Sequence, residues 1–196
     1  MRDLNKIIIN KINLKNKNNF ALIIGSTPSK GARSPTLWNS AYKHFKKKTK
    51  MFPADVKENN LGELCNYLKS NKYFLGSSVT VPYKEKIMRY LDSIDDNAKS
   101  IGSINTIVNK NGKLFGLNTD YLGSISTLKK IKIKKSKQKI LVFGCGGAGK
   151  ACIVSVMNYF KNSQIQLFNR NGAKLKKFVK KVKIKNNNSI KAFSNL

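Results

Sequence analysis

The stretch Lys139-Ile140-Leu141-Val142-Phe143-Gly144-Cys145-Gly146-Gly147-Ala148-Gly149 decides the fold. Its first five residues, dominated by apolar side chains, predict a strand, and Ala151 to Phe160 after the glycines predicts a helix. Gly144, Cys145, Gly146, Gly147, Ala148 and Gly149 therefore fill G-x-G-x-x-G between a strand and a helix, the context that gives this pattern its meaning. Glycines allow a tight turn and let the backbone approach a pyrophosphate, whose charge suits the free N–H groups and dipole of a helix N-terminus. A dinucleotide site is expected here; the plainer alternative is a turn that binds nothing.

Downstream, Ile165 to Phe168 reads as the next strand, and the residue at its end chooses the dinucleotide. An acid there accepts from an unmodified ribose 2'-hydroxyl, but this chain has Leu167-Phe168-Asn169-Arg170-Asn171 and then Lys174. Arg170 and Lys174 place two cations where a 2'-phosphate would lie, so NADP is expected over NAD, with Asn169 and Asn171 in the same cofactor loop. As a plainer alternative, both cations are solvated loop charges, Lys174 the more so in a chain this rich in lysine.

Upstream, the apolar run Phe20 to Ile24 predicts a buried strand, Ser26 to Ser34 a loop, and Pro35 the first turn of a helix with Trp38, Ala41, Tyr42 and Phe45 at helical spacing. Lys50 to Phe52 predicts a short strand, and Leu61, Leu64, Cys65 and Leu68 one face of a second helix. A strand is expected at Ser78 to Val81, stopped by Pro82, then a helix marked by Ile87, Met88 and Leu91. Asn111-Gly112 between Ile104 to Val108 and Leu114 to Phe115 predicts a hairpin, and Tyr121 to Leu128 a helix. The basic segment Lys129 to Lys139 reads as a surface linker. The class is α/β in two domains: a substrate-binding α/β domain over about 1–120 and a partial Rossmann cofactor domain over 121–196.

Composition excludes several classes. No apolar run is long enough for a membrane span, and the Lys- and Asn-rich opening lacks the core of a signal peptide, so a soluble, cytoplasmic protein is expected. Cys65, Cys145 and Cys152 show no metal-ligand or redox spacing, so neither a metal site nor a disulfide framework is expected. The net charge of +30 invites a nucleic-acid reading. Against it, the cations are nearly all lysine and are spread along the whole chain, with only Arg2, Arg33, Arg89 and Arg170 to offer the planar fork that phosphate and base readers favour. Abundant Lys, Asn and Ile fit a biased codon composition better, and the expected partners are small molecules rather than nucleic acid or membrane.

Three further clusters carry polar side chains: Ser78-Val79-Thr80-Val81-Pro82-Tyr83-Lys84, Gly102-Ser103-Ile104-Asn105-Thr106 and Gly116-Leu117-Asn118-Thr119-Asp120. Singly each is ordinary: Thr80 suits a strand, Lys84 a solvated helix, Asn105 a turn and Asp120 a helix cap. In this order, upstream of an NADP-type turn, they resemble the shikimate dehydrogenase family, whose motifs are V-T-V-P-x-K, G-x-x-N-T and N-T-D; the likeness runs over about residues 20 to 175.

That resemblance implies reversible hydride transfer between NADPH and the ring carbonyl of 3-dehydroshikimate, in the pathway to aromatic amino acids. It implies Lys84 as the group that protonates the developing alkoxide, and Asp120 as the carboxylate that orients it and grips the reacting hydroxyl. Thr80 and Asn105 would hold the other ring hydroxyls. Where the family has two serines for the substrate carboxylate, this chain has Ala32 and Ser34, so Ser34 is expected to act alone, with quinate/shikimate specificity of a relaxed kind as an alternative. His44, the only histidine, is expected to pack or face solvent rather than act as a base. Family members continue beyond the equivalent of Leu196, so the cofactor half is expected to hold about two strands here and to be cut short; an impaired paralogue with a binding role is a further alternative. A monomer or homodimer is expected.

Overall fold

Phe20 to Ile24 are buried without a break because β1 (Asn19–Gly25) has a parallel partner on each side, β2 (Thr49–Asp55) and β3 (Phe74–Val79). The computed structural model describes residues 3–14, 18–182 and 187–194. Between β1 and β2 runs α1 (Ser34–His44), with Pro35 in its first turn as expected. Its apolar spacing is only partly used: no α1 residue is fully buried, Ala41 and Tyr42 are half-buried, and Leu37, Trp38 and Phe45 are exposed. The helix is instead tied to β2 by Asn39, whose amide accepts from Met51 N–H at 2.7 Å and donates to Met51 O at 3.0 Å. His44 is exposed beside the Phe45 ring.

The helix α2 (Leu61–Ser70) buries the four side chains its spacing predicts, Leu61, Leu64, Cys65 and Leu68. Burial pushes the Cys65 thiol up to about 12, which makes it an inert core residue. The strand expected at Ser78 to Val81 is in fact Phe74–Val79. Gly76 lies inside it, and only glycine fits there, because a Cβ would fall 2.4 Å from Ile107 O on the next strand. The helix expected over Ile87 to Leu91 is a 3-10 turn at Lys86–Tyr90, followed by the two-residue β4 (Ser93–Ile94). The strands β5 (Thr106–Lys110) and β6 (Lys113–Leu117) form the predicted hairpin, with Asn111 and Gly112 at φ of 53° and 82° as a tight two-residue turn requires. The six strands run in the order β2-β1-β3-β5-β6-β4, with β3/β5 and β5/β6 antiparallel.

A second sheet, β7 (Lys139–Phe143), β8 (Gln164–Phe168) and β9 (Ser189–Phe193), is parallel throughout. It holds three strands where about two were expected, the third lying past the last motif that carried the sequence reading. Its elements are α3 (Asp96–Ile101), α4 (Thr119–Lys130), α5 (Gly147–Tyr159) and α6 (Gly172–Lys181). Ile101, Ala151, Val154, Met157, Ile165, Leu167 and Leu175 share one apolar core. The chain divides into two compact units, Met1–Asp95 with Ile104–Leu117, and Asp96–Ser103 with Asn118–Leu196. The basic segment expected as a linker joins α4 to β7 within the second unit. No helix among the described residues is long and apolar enough to cross a membrane.

Candidate functional site

In the first unit, the C-terminal end of β1 is where the motif residues gather. Thr80 N–H donates to Ile24 O at 2.9 Å and Ser26 N–H to Val81 O, so the chain leaving β3 stays against β1. Gly25 permits this: a Cβ there would stand 2.6 Å from Thr80 Cγ2. Beyond the cis Val81–Pro82 bond, Tyr83 is buried and donates its hydroxyl to Val56 O at 2.7 Å. Burial raises the Tyr83 phenol, with the nearby Glu58 adding to it. The turn is also pinned from the hairpin side, since Ile104 N–H donates to Lys84 O at 2.8 Å and Val79 N–H to Asn105 O at 2.7 Å. Thr80, Lys84 and Asn105, separated by up to 25 positions, are thus brought to one turn by backbone bonds on both sides, and all three are half-buried. The Asn105 amide oxygen accepts from Thr106 Oγ1 at 2.9 Å.

Ser34 opens α1 and is half-buried, while Arg33 before it is exposed. The loop leading to it is anchored by a residue that sequence reading passed over. Asp55, buried at the end of β2, accepts from both the backbone N–H and the hydroxyl of Ser29. No spacing signal joins positions 29 and 55; only the β1–β2 register brings them together.

In the second unit three glycines of the turn differ in what surrounds them. Gly144 takes φ of 92°, and its N–H donates to Phe168 O at 2.8 Å. Gly146 is the N-cap of α5, and nothing lies within 4 Å of where its Cβ would be. At Gly149 a Cβ would fall 2.4 Å from Gly144 O, so only glycine lets the helix start pack on the turn. A tight turn, an open backbone and a close helix contact are what a pyrophosphate seat needs, and α5 begins at Gly147, inside the motif rather than after it. Cys145 is buried, and its N–H donates to Asn169 Oδ1 at 3.0 Å. Asn169 also donates to Asn171 O, and Asn171 caps α6 by accepting from Lys174 N–H. These two asparagines shape the loop, while Arg170 and Lys174 are exposed. No acid ends β8.

Asp120 sits in the first turn of α4, in this second unit, where a carboxylate suits the helix dipole. The cap is not Asp120 but Asn118, whose side chain accepts from Tyr121 N–H. Thr80, Lys84, Asn105 and Ser34 belong to the first unit, and Asp120 to the second with Gly144, Gly146, Gly147, Ala148, Gly149 and the Asn169-to-Lys174 loop. Among the described residues no cluster of His, Cys, Asp and Glu is arranged to hold a metal.

Comparison with known proteins finds relatives of one kind. Residues 23–107 match the family described as the shikimate dehydrogenase substrate binding domain. The NADP(+) shikimate dehydrogenase of Carboxydothermus hydrogenoformans is 35% identical over 153 residues, 78% of this chain and 54% of that one. The same enzyme from Bacillus anthracis is 42% identical over 135 residues, 68% of this chain and 48% of that one. The crystal structure of shikimate dehydrogenase from Aquifex aeolicus superposes with a TM-score of 0.78 at 29% identity, covering 91% of this chain and 64% of that one. The chain spans about half the length of the curated relatives it matches. Over the part of their length that it spans, the chain is thus similar in sequence and in fold to shikimate dehydrogenases, and its residues 23–107 match that family's substrate binding domain.

Proposed function

We propose that the chain carries the substrate-binding part and the opening of the cofactor part of an NADP-dependent shikimate dehydrogenase, an oxidoreductase that interconverts 3-dehydroshikimate and shikimate in the cytoplasm. The observation that carries this reading is the joining of the Thr80-to-Lys84 turn to Ile104 and Asn105 within the stretch that matches the family's substrate-binding domain. NADPH, when bound, supplies the hydride. Lys84 delivers a proton to the carbonyl oxygen as negative charge develops there, and in the reverse direction takes it back. Asp120 grips the reacting hydroxyl. Thr80 and Asn105 hold neighbouring hydroxyls, and Ser34 the carboxylate. Gly144 to Gly149 seat the pyrophosphate, and Arg170 pairs with the 2'-phosphate that separates NADP from NAD.

The test is dehydroshikimate-dependent NADPH oxidation with Lys84→Ala and Asp120→Asn. Each is expected to lower turnover by about a hundredfold or more while NADPH affinity stays within about twofold, as befits groups of the chemical step. A Lys84→Ala protein that kept most of the parent's turnover would end the assignment. Quinate tried beside shikimate settles whether Ala32 relaxes substrate choice.

A further inference from the structure

Ser103 and Asn118 are 0% and 2% exposed, and polar side chains so deep are tolerated only with partners. Their partners form one chain within the second unit. Asn118 Nδ2 donates to Ser103 O at 2.8 Å and lies 3.3 Å from its Oγ. The Ser103 hydroxyl donates to Gly147 O at 3.2 Å. Asn118 Oδ1 accepts from Tyr121 N–H at 3.2 Å, which caps α4. At the other end, Ser103 is fixed by the helix that precedes it. Ile101 of α3 is part of the apolar core, Gly102 stops the helix at φ of 70°, and Ser103 N–H still reaches back to Ala98 O. One hydroxyl therefore stands between the first residue of α5, where the phosphates are seated, and the cap of α4, which carries Asp120.

We propose that Ser103 is a positioning residue for the phosphate-binding turn: its hydroxyl sets the start of α5 against the start of α4, so that the pyrophosphate seat and Asp120 keep a fixed relation. The consequence for the cofactor rests on the NADP reading above; the coupling of the two helix starts does not. An apolar residue in place of Ser103 would leave Gly147 O its helical bond and Asn118 its bond to the Ser103 carbonyl, so it would release the turn without unmaking the fold.

The experiment uses the full chain with Ser103→Ala, and Ser155→Ala as a matched control. Ser155 is also 0% exposed, and its hydroxyl lies within hydrogen-bonding distance of Ala151 O at 2.8 Å and Tyr121 O at 3.2 Å, linking α5 to α4 away from the turn. Backbone amide NMR without cofactor is expected to show the Gly146 to Ala148 and Tyr121 resonances moving together in Ser103→Ala, and the turn resonances unmoved in Ser155→Ala. NADPH titration is expected to weaken by about three- to tenfold in Ser103→Ala, the worth of one hydrogen bond, and by less than about twofold in the control. Ser103→Cys, which nearly keeps the volume, carries the same measurements if the alanine variant does not fold. Turn resonances unmoved by the loss of the hydroxyl would overturn the coupling, and moved resonances with unchanged NADPH affinity would overturn the positioning role. If the parent chain bound no NADPH, the dehydrogenase reading would fall and the positioning role with it, while the resonances would still decide the coupling.

Discussion

Asn169 and Arg170 are neighbours with different work. Their place after β8 raises the expectation of a cofactor loop for both, but the structural bond of Asn169 was not legible, because its partner is Cys145, 24 residues earlier. The Asn169 amide is spent on the turn and on Asn171 O, whereas Arg170 is exposed and bears a charge. Arg170→Ala should therefore weaken NADPH by about tenfold or more, a charge-assisted contact, and leave NADH nearly unchanged. Parallel titrations check this, and equal losses for the two cofactors would remove the 2'-phosphate assignment. A second residue makes a prediction about pH. Asp92 accepts from Lys69 Nζ at 2.8 Å and from Leu114 N–H at 2.7 Å, and these bonds, Lys69 first, hold its carboxyl below the usual value. A depressed carboxyl stabilises the fold above its unfolded pKa of about 4, and that contribution is lost as pH falls through the lower folded value. Asp92→Asn should cost about 1 kcal/mol in urea unfolding at neutral pH, with the gap to the parent closing in acid; a gap that persisted undiminished at the lowest pH would contradict this.

At the scale of elements, the pieces legible in advance were those with a local cause. Asn111-Gly112 closes its hairpin through its own backbone angles, and Leu61, Leu64, Cys65 and Leu68 face inward by helical period alone. The pieces that differ had distant causes: β3 begins at Phe74 rather than Ser78 through its pairing with β1 and β5, and α1, whose apolar positions are at most half-buried, is tied to β2 by Asn39. Asn118 and Ser103 lay inside quoted motifs, yet nothing in their spacing said that they bond each other 15 residues apart. The glycine turn separates fold from ligand within a single element. Gly149→Ala forces a Cβ to 2.4 Å from Gly144 O and should cost about 1 to 3 kcal/mol of stability, as overpacking does. Gly146→Ala meets nothing within 4 Å and has an ordinary φ of −80°, so it should melt like the parent; if the turn seats the pyrophosphate as proposed, it should bind NADPH more weakly, because its methyl would crowd that seat. Thermal melts and titrations of the two variants side by side read this out. A Gly146→Ala protein that bound NADPH as well as the parent would show that the turn is structural only.

For the whole molecule the governing quantity is charge. Lysine and arginine number 39 against 9 acids, so even complete pairing would leave some thirty cations facing one another. The ion pairs that do form, such as Lys69–Asp92, Lys86–Glu58 and Lys99–Asp96, are partly or largely solvated, and pairs of that kind contribute about 0 to 1 kcal/mol each. Self-repulsion among the remainder is spread over the surface, at separations comparable with the Debye length of about 10 Å in 0.1 M salt, so added salt should remove much of it. Screening also weakens the few attractive pairs, but the repulsive ones outnumber them, which fixes the sign. Raising sodium chloride from about 0.02 to 0.2 M should therefore raise Tm by several degrees, where about 1 kcal/mol is worth a few degrees in a chain of this size. The same change should weaken NADPH binding, because salt also screens the attraction between this cationic surface and an approaching polyanion. A calorimetric salt series with NADPH titrations at its two ends separates the effects, and a Tm that stayed flat or fell with salt would mean that the lysines are already compensated locally.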